Sequence, residues 1–348
     1  MIDGIEDQRN LSTIEANFRI IIKNHITKLL EVKRIYWKSR FKMRSIQLDD
    51  ENTEFFHAMA TQSYRKNFIT SLQDEDGTPF QNHDHKAAII WKSYKDRLGK
   101  AINPPMLFNL EEIFQPKDLS ELDAPFSMDE IDQVIKDIHS DRAPGPDGFN
   151  GLFLKKCWDI IKQDIYTMIW DFFEGNIDIQ SINTAFITLI PKIANPIDMN
   201  DFRPISLVSL PLKIITKLMA NRAQKIITSI IHQNQYGFIK GRNIQYCLGF
   251  AFEYIHLCHQ SRKPIIILKL DFEKAFDKIE YNAIIAMLKA KGFGPRWINW
   301  VTNILNIAST SVLLNGAAGK KFICKRGVRQ GDPHSPLLYI IVADLLQS

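Results

Sequence analysis

Cysteine is scarce in this chain, with four residues, Cys157, Cys247, Cys258 and Cys324, among 348. So few in so long a chain build no disulfide framework, and none stands at metal-ligand spacing from another, which points to a reducing compartment. The histidines, His83 and His85 included, find no partners at metal spacing either. The N-terminus, Met-Ile-Asp-Gly-Ile-Glu-Asp, lacks the basic and apolar regions of a secretion signal. No uncharged apolar stretch reaches the length of a membrane span. Internal repeats and low-complexity tracts are missing too. These absences predict an intracellular protein of cytoplasm or nucleus, neither secreted nor membrane-bound.

What is present is ordinary in bulk and uneven in detail. Hydrophobic residues make up 45% and charged residues 24%, enough for a sizeable core in about two domains. The net charge is +5, yet Asn17–Arg44 carries nine Lys or Arg against one acid, Glu31, so the block is +8 and the rest of the chain −3. Such a block suits a polyanion partner, or is the solvated face of a helix.

The coarse pattern is mixed. Residues 13–44 read as a long basic helix with a loose apolar stripe of Phe18, Ile22, Ile26, Leu29 and Leu30. Turns fall at Asp74–Pro79 and Asn103-Pro104-Pro105, with a soft boundary between 101 and 126. Ser127 and Glu130 form a capping box opening a helix with Ile131, Val134, Ile135 and Ile138 on one face. Residues 152–174, 211–231, 243–260, 280–290 and 295–306 read as helices, with a last one opened by Pro333 or Pro336. Ala185–Ile190 and Ile265–Leu270 read as buried strands, and Ser311–Asn315 with Lys320–Cys324 as a hairpin. This predicts an α+β fold, with a basic, mainly helical connector over 1–126 and a second domain over 127–348.

Asp271 follows the apolar run Ile265–Leu270. A carboxylate there is costly to bury unless paired or bound to a cation such as Mg²⁺, which prefers hard oxygen ligands. Taken alone it reads more simply as a cap of the next helix, a common task for Asp after a strand.

Six stretches carry a resemblance. They are Ala143-Pro144-Gly145-Pro146-Asp147-Gly148-Phe149, Ile187–Lys192, Asp201–Leu207, Gln235–Arg242, Leu268–Asp277 and Arg326–Pro333. Their order, with Asp271 standing 59 residues before Gln330, resembles the reverse transcriptase domain of LINE-type (non-LTR) retrotransposons of the plant type. The match covers 127–348. Upstream, Asn52–His57 and Arg65–Ile69 look more loosely like the connector of such elements, with Asp50-Glu51 where Gly-Asp is usual.

The resemblance implies a right-hand polymerase fold, here fingers and part of the palm. Its partners would be an RNA template, a DNA primer and dNTP, with Mg²⁺ as cofactor. It makes Asp271 the catalytic metal ligand and puts Phe276 under the sugar, where a ring would clash with a 2′-hydroxyl; the bland alternative is a core Phe. It brings Lys192 and Arg203 to the triphosphate, against the alternative of surface cations. Gln330 and Gly331 would line the nucleotide and template-base pocket, unless Gly331-Asp332-Pro333 is only a turn. Lys240 and Arg242 would contact template phosphate. Gly145 and Gly148 would sit at a fingers tip near template, or be plain loop glycines. Asp277 reads as a structural cap.

Two departures stand out. His334 replaces the usual apolar residue after Pro333. The family's aromatic-x-Asp-Asp hairpin and thumb are expected beyond Ser348, and Asp344, in a helical pattern, does not substitute. One carboxylate does not hold two divalent ions in working geometry. The expectation is a truncated RNA-directed DNA polymerase, inactive alone. The alternatives are a non-catalytic RNA- or DNA-binding remnant and a decayed reading frame.

Overall fold

The computed structural model describes residues 9–41, 58, 61–62 and 64–347. The connector stretch Asn52–His57, Asp50-Glu51 and the end of the basic block at 42–44 lie outside them. The chain divides into two compact units, Met1–Phe68 and Ile69–Ser348. In the first, Thr13–Phe41 is one helix. Phe18, Ile26, Leu29 and Leu30 of its apolar stripe are at least half exposed and Ile22 is 37% exposed, so the stripe is not buried.

The second unit is built on a five-stranded sheet. β1 (Leu72–Gln73) and β2 (Pro79–Phe80) form a separate small hairpin around the Asp74–Thr78 turn. β3 (Thr184–Pro191) runs antiparallel to β4 (Phe202–Val208) and parallel to β5 (Ser309–Leu314). β5 in turn pairs antiparallel with β6 (Ala317–Ala318) and β7 (Phe322–Ile323). β3 alternates as a half-buried strand should, with Ala185, Ile187 and Leu189 inward. β4 escapes a pattern reading because Pro204 interrupts it. It is an edge strand, where a missing N–H costs no ladder bond.

One face of the sheet is covered by helix His83–Leu98, whose Ile90, Tyr94 and Leu98 meet Ile187, Leu189, Val312 and Leu314. Residues 69–98 are therefore part of this body, and the soft boundary expected between 101 and 126 falls inside the unit. Ala185, Val208 and Leu212 form a separate small cluster.

The larger core gathers around helix Leu210–Ile230, which buries Ile214, Ile215, Met219, Ala223 and Ile227. Helix Met128–Asp137 packs there behind the capping box of Ser127 and Glu130. Glu130 also receives both Nε and Nη2 of buried Arg222, at 2.9 and 2.7 Å, and that guanidinium lies 4.0 Å from the Phe126 ring centroid. The helix expected over 152–174 is two, Gly151–Lys156 and Trp158–Glu174, broken at Cys157. Pro336 opens the last helix, Ser335–Ala343. Asp344 follows in a 3-10 turn, buried against the Lys291 ammonium and accepting from His232 N at 2.8 Å, so it is a structural ion pair.

The strand expected over Ile265–Leu270 is not formed. Residues 263–272 have no regular structure and Ile266 is 99% exposed. Extended backbone becomes a strand only when a neighbour takes its N–H and C=O groups. None of the described strands runs beside this segment.

Among the described residues no helix is long and apolar enough to cross a membrane.

Candidate nucleotide and nucleic-acid site

Asp271 stands exposed at the end of that unpaired segment. With Phe272, Glu273 and Ala275 it borders an open groove of about 880 Å³. The opposite walls are Asn103–Met106, the Asn282-Ala283-Ala286 face of helix Tyr281–Lys291, and Tyr339, Val342 and Leu346. Lys274, in left-handed backbone (φ 53°), starts the one-turn helix Ala275–Lys278. Glu273 is held by Lys278 at 2.9 Å and Lys274 at 3.1 Å, and these ammonium groups lower its carboxyl to about 2. It is thus already engaged. Among the described residues no group of three or more His, Cys, Asp or Glu gathers where an ion could bind. Asp271 alone does not fit the Mg²⁺ donor set, which several carboxylates and substrate oxygens make up together.

Phe276 belongs to an aromatic cluster that sequence reading did not foresee. Its ring stacks on Tyr339, centroids 4.7 Å apart and planes 8° apart, and meets the edge of Phe238 at 5.9 Å. Tyr339 also borders the Asp271 groove. Phe276 is half-buried against the main core, and it is its stacking partner Tyr339 that reaches the groove.

Gln330 is fixed at both ends. Its carbonyl accepts from Ser206 N at 2.7 Å, at the free edge of β4, and its Nε2 donates to Asp277 Oδ1 at 3.2 Å. Gly331 follows at φ +114°, and a Cβ there would lie 2.9 Å from Ser206 O. That combination of backbone and close approach demands glycine. Asp277 is buried inside the one-turn helix rather than capping it, which corrects the expected role. Its Oδ2 lies 3.7 Å from Arg97 Nη1. Burial pushes its carboxyl up, and Arg97 opposes the shift.

Asp332, at the entry to the last helix, accepts at Oδ1 from His334 N at 2.8 Å and Ser335 N at 3.3 Å. Burial pushes this carboxyl up as well. His334 is buried edge-on to Trp297, centroids 5.6 Å apart, and burial lowers its imidazole to about 4. It is a neutral core residue, with no role as acid or base near pH 7.

Lys192 and Arg203 stand exposed on the turn side of the β3–β4 ladder, where Ile190 pairs with Arg203. Lys192 Nζ donates to Asn200 O at 2.9 Å. Among the described residues neither cation has a carboxylate partner, so an anion can approach both. Arg242 is committed, its Nη1 donating to His232 O at 2.8 Å and Gln235 O at 2.7 Å, which closes the 232–242 loop. Lys240 is exposed. Gly145 is packed so closely that a Cβ would fall 2.4 Å from Val208 O, whereas Gly148 sits in the open at φ +75°. Between them Asp147 Oδ2 accepts from Leu210 N at 2.5 Å, tying the loop to the start of the long helix.

Comparison with known proteins follows the same region. Residues 190–348 match the family model described as reverse transcriptase (RNA-dependent DNA polymerase). Over 309 residues, 88% of this chain, it is 26% identical to the transposon TX1 uncharacterized 149 kDa protein of Xenopus laevis, covering 24% of that protein. Over 205 residues, 59% of this chain, it is 30% identical to the retrovirus-related Pol polyprotein from type-2 retrotransposable element R2DM of Drosophila melanogaster, covering 19% of it. The probable RNA-directed DNA polymerase from transposon BS of the same fly is 25% identical over 244 residues, 68% of this chain and 26% of the relative. The chain spans about a quarter or less of the length of these relatives.

Proposed function

We propose that the chain, whose sequence matches reverse transcriptases of the non-LTR retrotransposon kind, supplies the connector (1–126) and the fingers and first part of the palm (127–348) of an RNA-directed DNA polymerase. The complete enzyme joins dNTP to the 3′-hydroxyl of a DNA primer along an RNA template. The observation that carries this is the set of six motifs in family order, with Asp271 and Tyr339, the ring on which Phe276 stacks, lining one groove.

In this reading Lys192 and Arg203 neutralise the triphosphate, since phosphoryl transfer is governed by positioning and charge. Phe276 limits the space beside the sugar. Gln330, held by Ser206 and Asp277, presents a fixed wall to the base, and Gly331 lets backbone approach it. Lys240 faces template phosphate. Mg²⁺ would supply charge at the reacting phosphate in the complete enzyme, with Asp271 as one of its several ligands.

Because no cluster of metal-binding carboxylates gathers at Asp271 among the described residues, a polypeptide of residues 1–348 is expected to incorporate no labelled dNTP on a primed RNA. Incorporation that is abolished by Asp271→Ala would overturn this.

A second reading, RNA or DNA binding without catalysis, is favoured by one observation. Lys23, Lys28 and Lys33 are all exposed along helix Thr13–Phe41. Neutralising them would then flatten the salt dependence of RNA binding.

A further inference from the structure

Phe149 and Phe153 lie with ring centroids 4.4 Å apart and planes inclined by 25°, yet they remain 46% and 37% exposed. Leu152 beside them is 49% exposed. The backbone beneath is pinned in three places: Gly145 against Val208, Asp147 on Leu210 N, and Asn150 Oδ1 on Phe153 N at 3.0 Å. A pair of rings held this way loses little freedom when something binds to it. The flanks are basic. Arg142 and Lys156 are exposed, Lys155 is exposed with its Nζ donating to Lys136 O at 2.7 Å, and Asp147, the acid between them, is occupied with backbone N–H groups. Exposed ring faces beside exposed cations match the chemistry of unpaired bases and their phosphates, because every base offers a π-face and every linkage a negative charge.

We propose that Phe149 and Phe153 form a stacking platform for bases of an unpaired RNA strand, with Lys156 and Arg142 meeting its phosphates. The platform rests on the polymerase reading and adds a nucleic-acid contact outside the nucleotide pocket. A second copy of the chain covering the same rings is the competing occupant.

The test uses the full 348-residue chain, a labelled oligouridine, and a ribose-phosphate oligomer of equal length without bases. Anisotropy titrations over a range of salt read both affinity and its slope. The wild type should bind the base-bearing oligomer more tightly by about tenfold, the order expected when a base stacks on a ring. Phe149→Ala with Phe153→Ala should erase that advantage and leave the salt slope alone. Phe149→Tyr with Phe153→Tyr should keep it. Lys156→Ala should instead make the slope shallower by about one. A 5-bromouridine RNA should crosslink to the peptide containing these rings.

Equal wild-type affinity for the two oligomers would overturn the platform without any variant. So would a double-alanine chain that folds by circular dichroism and still prefers the base-bearing oligomer. If RNA binds but prefers no bases, the platform falls and the polymerase reading stands. If neither oligomer binds, both fall. RNA-independent self-association that the double-alanine change abolishes would assign the rings to an interface between copies and overturn the proposal.

Discussion

Two six-residue apolar runs in this chain end differently. Ala185–Ile190 became the middle of the sheet, with Ile187 3% exposed. Ile265–Leu270 stayed outside, with Ile266 99% exposed. Both have β-branched residues and both end beside a residue that stops a strand. The first has β4 on one side, β5 on the other and helix His83–Leu98 across its face. The second has none of these. Strand formation is thus a property of the neighbourhood, and sequence pattern reports only the capacity for it.

The sharpest way to break that comparison is to truncate a residue in each run. Ile187→Ala should cost about 2–5 kcal/mol in urea unfolding, the usual range for a buried Ile. Ile266→Ala should fall within about 0.5 kcal/mol of wild type, as exposed substitutions do. Equal effects would mean that 265–270 is buried in solution.

The next effect is electrostatic and confined to the packed region. His334, lowered to about 4, stays neutral in the folded chain while the unfolded chain takes up a proton near pH 6.5. Stability contributed by the neutral ring is therefore present above pH 6.5 and lost as pH falls toward 4. The loss approaches about 3 kcal/mol by the usual conversion. His334→Leu should remove it, read as a smaller gap between thermal midpoints at pH 7.5 and pH 5.

The smallest effect belongs to one buried carboxylate. Asp277 is buried with its carboxyl pushed up, so its contribution is present below the ordinary carboxylate range and lost as pH rises through the folded value. This slope is opposite to that of His334, and Asp277→Asn should flatten it.

Much of this was legible in residue order. The capping box at Ser127, the helices around the main core, the β5–β7 hairpin and the turn at Gly145–Gly148 follow from local chemistry, which a single sequence displays. β4 was hidden because Pro204 disguises an edge strand. The cover supplied by helix His83–Leu98 was hidden because nothing local marks which distant face a helix will meet. At the candidate site, Asp271, Phe276, Lys192, Arg203 and Gln330 were each named from motif resemblance. Their supports, Tyr339, Phe238, Arg97 and Ser206, come from elements far apart in sequence and carry no local signature. The two rings at Phe149 and Phe153 could have been suspected, since apolar residues beside a Gly-Pro turn and two lysines have little reason to be there for packing.

The contact between helix His83–Leu98 and the far end of the sheet also sets a clock. Arg326 Nε donates to Arg97 O at 2.7 Å across a sequence separation of 229 residues. A ribosome adding about 5–20 residues per second makes Arg326 roughly ten to fifty seconds after Arg97. Within that interval Ile90, Tyr94 and Leu98 can meet Ile187 and Leu189 once β3 and β4 are made, but the part of the helix face that covers Val312, Leu314 and Phe322 stays open until the last strands follow.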